Sequence, residues 1–178
     1  MPISKQSQVE AAVLIPVYRG VVGEVRLVLV RRSQGGHHGG QLAFPGGKRD
    51  PGDQSLWETA LRETWEETGL APENVEFLAA LPVVPTLTTG IQIHPFLGRI
   101  IAPPQWRRDE REIAEIIEVR LDDLARPEAH GEEIKQFPTW PAPQRVPFYR
   151  VGPYHLWGAT YRIFHPLLTR LLAGEWMI

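Results

Sequence analysis

Residues 46–70 read GGKRDPGDQSLWETALRETWEETGL, a glycine pair followed by a segment with helical spacing. Three carboxylates, Glu63, Glu66 and Glu67, are spaced i, i+3 and i+4, so in an α-helix they share one face. Like charges that close repel one another, and a divalent cation such as Mg²⁺ would offset the repulsion and bind phosphate oxygens as well. The segment therefore predicts metal-assisted chemistry on a phosphate compound.

The same residues allow a simpler interpretation. Arg62 lies four residues after Glu58 and four before Glu66, and such i, i+4 pairs stabilise a solvated helix without any ligand. Spacing alone does not choose between these two interpretations. The glycine pair at 46–47 favours the ligand site, because glycine lets a backbone approach a ligand closely.

We expect the helix to cover residues 55–68. Ser55, with Glu58 three residues later, matches a capping box, although Asp53 is an alternative cap. Gly69 is well placed to end the helix. Three apolar residues at i, i+4 and i+8 predict a buried stripe on the side away from the carboxylates: Trp57, Leu61 and Trp65.

The rest of the chain predicts a mostly β protein. Strands are expected at 9–18, 25–31, 41–44, 75–82, 91–100, 113–119 and 148–156, a short helix at 121–126 and a final helix at 157–173. The proline-rich span 127–147 predicts an extended loop, which would either cover the site or form a homodimer contact. This pattern indicates an α/β (α+β) fold, a mixed β-sheet between helices, in one domain spanning 1–178.

Composition narrows the class of protein. The chain has 178 residues, 43% hydrophobic and 22% charged, a net charge of −2 and no cysteine. These values are ordinary for a globular domain, exclude disulfides and thiolate metal sites, and do not favour general nucleic-acid or membrane-surface binding. The polar start and the lack of a long apolar run predict a cytoplasmic protein.

Residues 46–70 resemble the signature box of Nudix hydrolases: glycine, five residues, an acid, then Arg-Glu-x-x-Glu-Glu-x-Gly and an apolar residue. Three departures stand out, because Asp53 replaces a glutamate, eight residues rather than seven separate it from Arg62, and Thr64 replaces an aliphatic residue. The matching positions are Gly47, Arg62, Glu63, Glu66, Glu67, Gly69 and Leu70.

The resemblance implies a Nudix α/β/α sandwich that hydrolyses a diphosphate linked to another group. It implies that Glu63, Glu66 and Glu67 hold Mg²⁺ or Mn²⁺, and that a carboxylate such as Glu66 orients or deprotonates the attacking water. Arg62 would hold the neighbouring carboxylates in place. The glycine pair would lie close to the ligands, Gly46 at the substrate and Gly47 offering a carbonyl to the metal.

A second resemblance concerns the substrate. The segments 29–33 and 40–47 resemble an extra motif of Nudix enzymes that cleave coenzyme A, as do 112–121 and 156–160. This implies a coenzyme A-like nucleotide substrate, with Arg31 and Arg32 as phosphate contacts. One departure is that Gly36 stands where those enzymes carry an arginine, and neutral His37 or His38 is a poor replacement for a guanidinium.

The family also implies a further acid after the signature box. Glu112 is the first candidate and Glu115 the second, although 109–112 could equally be a solvated run of charges.

Two rival functions stay open at this point. One is hydrolysis of another nucleoside diphosphate, such as ADP-ribose, a dinucleotide or an oxidised nucleoside triphosphate. The other is nucleotide binding without cleavage, which the intact glutamates oppose.

Overall fold

A computed structural model describes residues 9–35, 39–87, 89–137 and 140–178. Two short 3-10 helices lie at Pro72–Asn74 and Pro127–Ala129. The helices are α1 (Leu56–Thr68), α2 (Leu121–Ala125) and α3 (Gly158–Leu172). The strands are β1 (Glu10–Arg19), β2 (Val25–Arg32), β3 (Leu42–Ala43), β4 (Gly46–Lys48), β5 (Val75–Ala80), β6 (Val84–Pro85), β7 (Gln92–Ile100), β8 (Ile113–Arg120), β9 (His130–Lys135), β10 (Gln144–Val151) and β11 (Tyr154–Leu156).

The main sheet is mixed. Its central path is β3-β2-β1-β7-β5, and β4, β6 and β8 pair with β1, β7 and β2 respectively. β1 and β7 run parallel, in register from Glu10 opposite Gln92 to Val17 opposite Arg99, while β1 pairs antiparallel with β2 and β4. A second, antiparallel sheet has the order β11-β10-β9. The mixed sheet that the sequence predicts is therefore confirmed.

The two faces of the main sheet bury different elements. Side chains alternate along a strand, and β2 shows the consequence. Leu27 and Leu29 belong to the core that includes Phe164 of α3, whereas Val28 belongs to the core that includes Ala60 of α1. We call these the α3 face and the α1 face. The sheet thus lies between helices, as expected for an α/β/α sandwich.

Two expectations about the second half of the chain are wrong. The span 127–147 is not an extended loop, because it holds a 3-10 turn, the whole of β9 and the start of β10. The segment 148–156 is not one strand, since Gly152 with φ 55° ends β10 and the chain returns as β11. The strands were not predicted because proline is usually a loop signal. Here Pro147 pairs opposite Glu132 inside the ladder.

Helix α1 begins and ends as expected. The Ser55 side chain accepts a hydrogen bond from the Glu58 amide at 3.1 Å, and the Glu58 carboxylate accepts from the Gln54 amide at 2.6 Å. Gly69, at φ 73°, donates its amide to the Trp65 carbonyl at 2.8 Å. The capping box therefore belongs to Ser55 and not to Asp53.

The predicted apolar stripe of α1 is wrong. Trp65 is 55% exposed, and Trp57 is half-buried against the edges of Phe77 and Phe96, with ring centroids 5.2 and 5.6 Å away. Small or polar side chains form the buried face instead, which lets the helix approach β1 and β4 closely: Thr59, Ala60, Thr64, Glu67 and Thr68. The departure at Thr64 is accommodated because its hydroxyl donates to the Ala60 carbonyl at 2.7 Å.

Within the described ranges, no helix is both long and apolar enough to cross a membrane.

Replacing Ser55 with alanine removes the cap of α1, and we expect the free energy of unfolding to fall by ~1 kcal/mol. For a chain of this size the melting temperature should drop by about 2–4 °C. Ser55→Thr is the matched control, since it keeps the hydroxyl oxygen. Calorimetry showing equal losses for both variants would contradict the capping assignment.

Candidate metal and phosphate site

Glu67 is the most unusual carboxylate of the described residues. Its exposed fraction is 2%, one oxygen (Oε2) accepts the Gly46 amide at 3.0 Å, and the other (Oε1) is buried without a hydrogen-bond partner. Burial raises the pKa of Glu67 to about 7, and the charges of Glu63 and Glu112 act in the same direction. The Gly46 amide and the charge of Arg32 oppose the rise. A buried carboxylate with a free oxygen is a suitable ligand for a cation.

The glycine pair makes this arrangement possible. Gly46 has φ 150°, and a Cβ there would lie 2.2 Å from the Ala12 carbonyl oxygen on the neighbouring strand. At Gly47 a Cβ would lie 2.3 Å from Oε2 of Glu63. Position 46 therefore requires glycine so that β4 can pair with β1, whereas at Gly47 the missing side chain leaves room for the Glu63 carboxylate.

The expectation that Gly46 contacts substrate is not met by this geometry. The residue is buried, and its amide is already bonded to Glu67. Its place is behind a candidate metal ligand, where it fixes one carboxylate oxygen and leaves the other free. The suggested role of the Gly47 carbonyl as a metal ligand stays a prediction.

Arg62 connects the acids of the segment. Its Nε and Nη2 donate to the two oxygens of Asp53 at 2.8 and 2.9 Å, and its Nη1 donates to Glu63 at 2.9 Å and to Glu66 at 3.4 Å. Asp53 is 7% exposed, also accepts from the Thr59 hydroxyl at 2.8 Å, and its pKa is held well below the usual range, chiefly by Arg62. The bidentate pair explains how the shorter aspartate suits this position.

The three glutamates share one helix face but have different surroundings. Glu66 is half exposed and paired to Arg62, Glu63 lies between Arg62 and Gly47, and Glu67 is buried. Burial also raises the pKa of Glu63. In the described ranges, no three His, Asp or Glu side chains are arranged so that they could hold a metal ion as they stand. Of the predicted ligands, Glu63 and Glu66 are held by Arg62 and Glu67 by the Gly46 amide, and they do not form a complete coordination shell.

These residues nevertheless fit a hard divalent cation. The donors are carboxylate oxygens, which such ions prefer, and the unpartnered Oε1 of Glu67 marks where positive charge is missing. The raised pKa values of Glu63 and Glu67 show the repulsion and desolvation that a cation would relieve. Glu63, Glu66 and Glu67 are therefore the residues that would hold it.

The two neighbouring arginines point to opposite faces of the sheet. Arg31 lies on the α3 face, where its Nε donates to Glu115 at 3.2 Å and its guanidinium stands 5.0 Å from the Tyr154 ring centroid. Arg32 lies on the α1 face, where its charge lowers the pKa of Glu67. Among the described residues, its guanidinium has no ion pair. The structure thus brings Arg32 and not Arg31 to the candidate site.

The two candidates for the further acid are separated in the same way. Glu115 accepts from Arg31 and from the Tyr154 hydroxyl at 2.8 Å, so it is committed to the α3 face. Glu112 precedes β8, its carbonyl accepts the Ser33 amide at 2.8 Å, and its exposed carboxylate raises the pKa values of Glu63 and Glu67. The geometry favours Glu112, whose catalytic role stays a prediction.

Gly36, His37 and His38 lie outside the described residues, so the effect of the missing arginine stays a prediction.

Sequence reasoning missed two residues around the site. Thr59 supports Asp53, and its spacing six residues later in the helix segment offers only a weak signal. Tyr154 binds Glu115 from 39 positions away, and no local pattern links them. Each of them contacts an acid that the sequence had already indicated, Asp53 in the first case and Glu115 in the second.

Comparison with known proteins is consistent with this geometry. The NUDIX domain family matches residues 9–141. A relative from Pectobacterium atrosepticum, named "Uncharacterized Nudix hydrolase NudL", is 37% identical over 174 residues, which cover 96% of this chain and 85% of the relative. The 34% identical protein of the same name from Salmonella newport covers 93% of this chain and 84% of its own length.

A solved structure supports the fold alone. The MutT/nudix family protein from Enterococcus faecalis has a TM-score of 0.67 at 17% identity, covering 97% of this chain and 65% of its own.

Glu67→Gln tests the electrostatic cost of the site. Because the folded pKa of about 7 lies above the ordinary 4.5, the metal-free protein should lose stability as pH rises from about 4.5 to 7. The loss should approach ~3 kcal/mol, since one pKa unit corresponds to ~1.4 kcal/mol. In EDTA at pH 8, Glu67→Gln should therefore unfold at a higher temperature than the wild type.

The control is Glu66→Gln, whose half-exposed carboxylate should give no such gain. Denaturation curves at pH 5 and pH 8 provide the comparison. A Glu67→Gln variant less stable than wild type at pH 8 would show that the buried charge is not costly.

Proposed function

This chain belongs to the NUDIX domain family and is a Nudix hydrolase, and we propose that it cleaves the diphosphate of coenzyme A or its derivatives. The family acts on pyrophosphate bonds of small nucleotide compounds and uses divalent metal ions. The proposal adds the substrate, the products 3′,5′-ADP and 4′-phosphopantetheine, and Mg²⁺ or Mn²⁺ as the ion.

One contact carries the choice of substrate. Two of the segments that resemble coenzyme A enzymes, 40–47 and 156–160, are far apart in the chain. The Thr160 hydroxyl nevertheless donates to the Leu42 carbonyl at 3.4 Å. Leu42 lies in β3, opposite Arg31 and four residues before Gly46. The two segments therefore lie against each other at β3, as parts of one substrate-binding surface would.

The residues of the candidate site would have three different roles. Glu63, Glu66 and Glu67 would hold the divalent ion, which when bound neutralises diphosphate oxygens and makes a water more acidic. Glu112, beside these carboxylates but exposed, would accept the proton of the attacking water. Arg32 would pair with a diphosphate oxygen, because its guanidinium faces the site and has no ion pair among the described residues.

Arg62 would act through the carboxylates and not on substrate. Its donors are shared among Asp53, Glu63 and Glu66, so it limits their movement while leaving the free oxygen of Glu67 untouched. Attack of water on phosphorus breaks one phosphoric anhydride bond, and the leaving phosphate carries away the electron pair.

A second candidate substrate is ADP-ribose. The NUDIX domain of NrtR from Shewanella oneidensis, solved as a complex with ADP ribose, has a TM-score of 0.53 at 19% identity over 70% of this chain and 80% of its own. The observation that favours this candidate is Gly36, which stands where coenzyme A enzymes carry an arginine. Loss of that cation would weaken affinity for the 3′-phosphate.

A product assay decides between the two substrates. With Mg²⁺ and with Mn²⁺, we expect coenzyme A to be cleaved with a higher kcat/KM than dephospho-coenzyme A or ADP-ribose, with release of 3′,5′-ADP. Dephospho-coenzyme A is the matched control, because it lacks only the 3′-phosphate. A preference for it or for ADP-ribose would reject the coenzyme A assignment and keep the hydrolase.

Glu112→Gln tests the proton acceptor. The amide cannot take the proton, and we expect kcat to fall by about 10²-fold or more at little cost in stability. Glu110→Gln is the control, since its exposed carboxylate pairs with Arg108 two residues away. Full turnover by Glu112→Gln would remove this residue from the mechanism.

A further inference from the structure

Three residues form a closed group on the α3 face, on the opposite side of the sheet from the candidate site. Glu115 accepts from Arg31 at 3.2 Å and from the Tyr154 hydroxyl at 2.8 Å, both at Oε2. The Arg31 guanidinium completes the group by lying over the Tyr154 ring at 5.0 Å. We call Arg31, Glu115 and Tyr154 the register triad, because Arg31 and Glu115 are directly opposite each other in the β2–β8 ladder.

The ladder is irregular next to this triad. Arg31 is opposite Glu115, but Arg32 is opposite Ile113, so one residue of β8, Ala114, is left without a partner. This is a β-bulge, a feature that re-aims side chains and is common beside active sites. After the bulge, the Ser33 amide reaches the Glu112 carbonyl at 2.8 Å.

The bulge decides which groups face the carboxylates. Without it, Ser33 would be opposite Ile113, and Glu112 would lie one residue further along the sheet edge. A shift of one residue also exchanges the faces of a strand. The register at Arg31 and Glu115, together with the bulge in β8, therefore sets where Glu112 lies relative to Arg32 of β2. These are the two groups assigned to the water and to the phosphate.

We propose that Arg31, Glu115 and Tyr154 are positioning residues that fix the β2–β8 register at the bulge and thereby hold Arg32 and Glu112 at the reacting diphosphate. The inference rests on the proposed function in that Arg32 binds a diphosphate and Glu112 accepts the proton of the attacking water. It assigns Arg31 to the protein and not to substrate. It also gives the second sheet a role, because Tyr154 of β11 supplies the hydroxyl that closes the group.

The test is a double-mutant cycle between Tyr154→Phe and Arg32→Gln. Tyr154→Phe removes one hydroxyl and keeps the ring under Arg31. We expect it to lower kcat/KM about fivefold to tenfold in the wild-type background and by less than twofold when Arg32 is already glutamine. Such non-additivity is expected of a group that acts through Arg32. Equal losses in both backgrounds, or no loss in either, would overturn the proposal.

Tyr18→Phe is the matched control. Burial and the Glu118 carboxylate together raise the pKa of Tyr18, so this variant also removes a tyrosine–glutamate interaction with β8, three residues from Glu115. It should leave kcat/KM unchanged with and without Arg32. A Tyr18→Phe variant coupled to Arg32 as strongly as Tyr154→Phe would mean that any loss of support for β8 has this effect, and would overturn the specific role of the triad.

The cycle also separates the two proposals. It is measured on whichever of coenzyme A, dephospho-coenzyme A and ADP-ribose the wild type cleaves fastest, so a wrong substrate assignment leaves it intact. If the wild type cleaves none of them, the proposed function fails, and the cycle is measured as the Kd of inorganic pyrophosphate with Mg²⁺. Should Tyr154→Phe not fold, Glu115→Gln takes its place, with the same expected coupling to Arg32.

Discussion

The buried carboxylate of Glu67 is the constraint on which the site depends. One oxygen is fixed by the Gly46 amide and the other has no partner, so the fold carries a desolvated charge that only a cation or a proton relieves. Such a group costs stability in the metal-free protein. The close packing of α1 on β4 that buries Glu67 also aligns the neighbouring carboxylates, so the cost and the site have the same origin.

Arg62 limits that cost without removing it. It donates hydrogen bonds to three of the four nearby acids, Asp53, Glu63 and Glu66, while Glu67 receives no donor from it. Of these four acids, Glu67 is the one that keeps a buried oxygen, Oε1, available to a cation. Small side chains on the buried face of α1 serve the same end, because a bulky stripe would lift the helix off the glycine turn.

Much of this site could be predicted from residues 46–70, since helical spacing and capping signals are local properties. The assignments that failed were of another kind. Trp65 was expected inside because it is apolar, but what covers a helix face depends on the strands beneath it. The strands β9 and β10 were missed because prolines are usually loop signals, and only their pairing with each other shows that the ladder tolerates them.

The residues alone therefore determined the family, the helix with its caps and the acids on one face, because each depends on short spacings, and the mixed-sheet architecture, because it follows from the order of strands and helices. Only the folded chain decided that Arg32 and not Arg31 faces the carboxylates, and that Glu112 rather than Glu115 lies beside them. Only the folded chain joined Thr160 to Leu42. These outcomes depend on strand register, a bulge and packing between distant segments, and no local pattern contains that information.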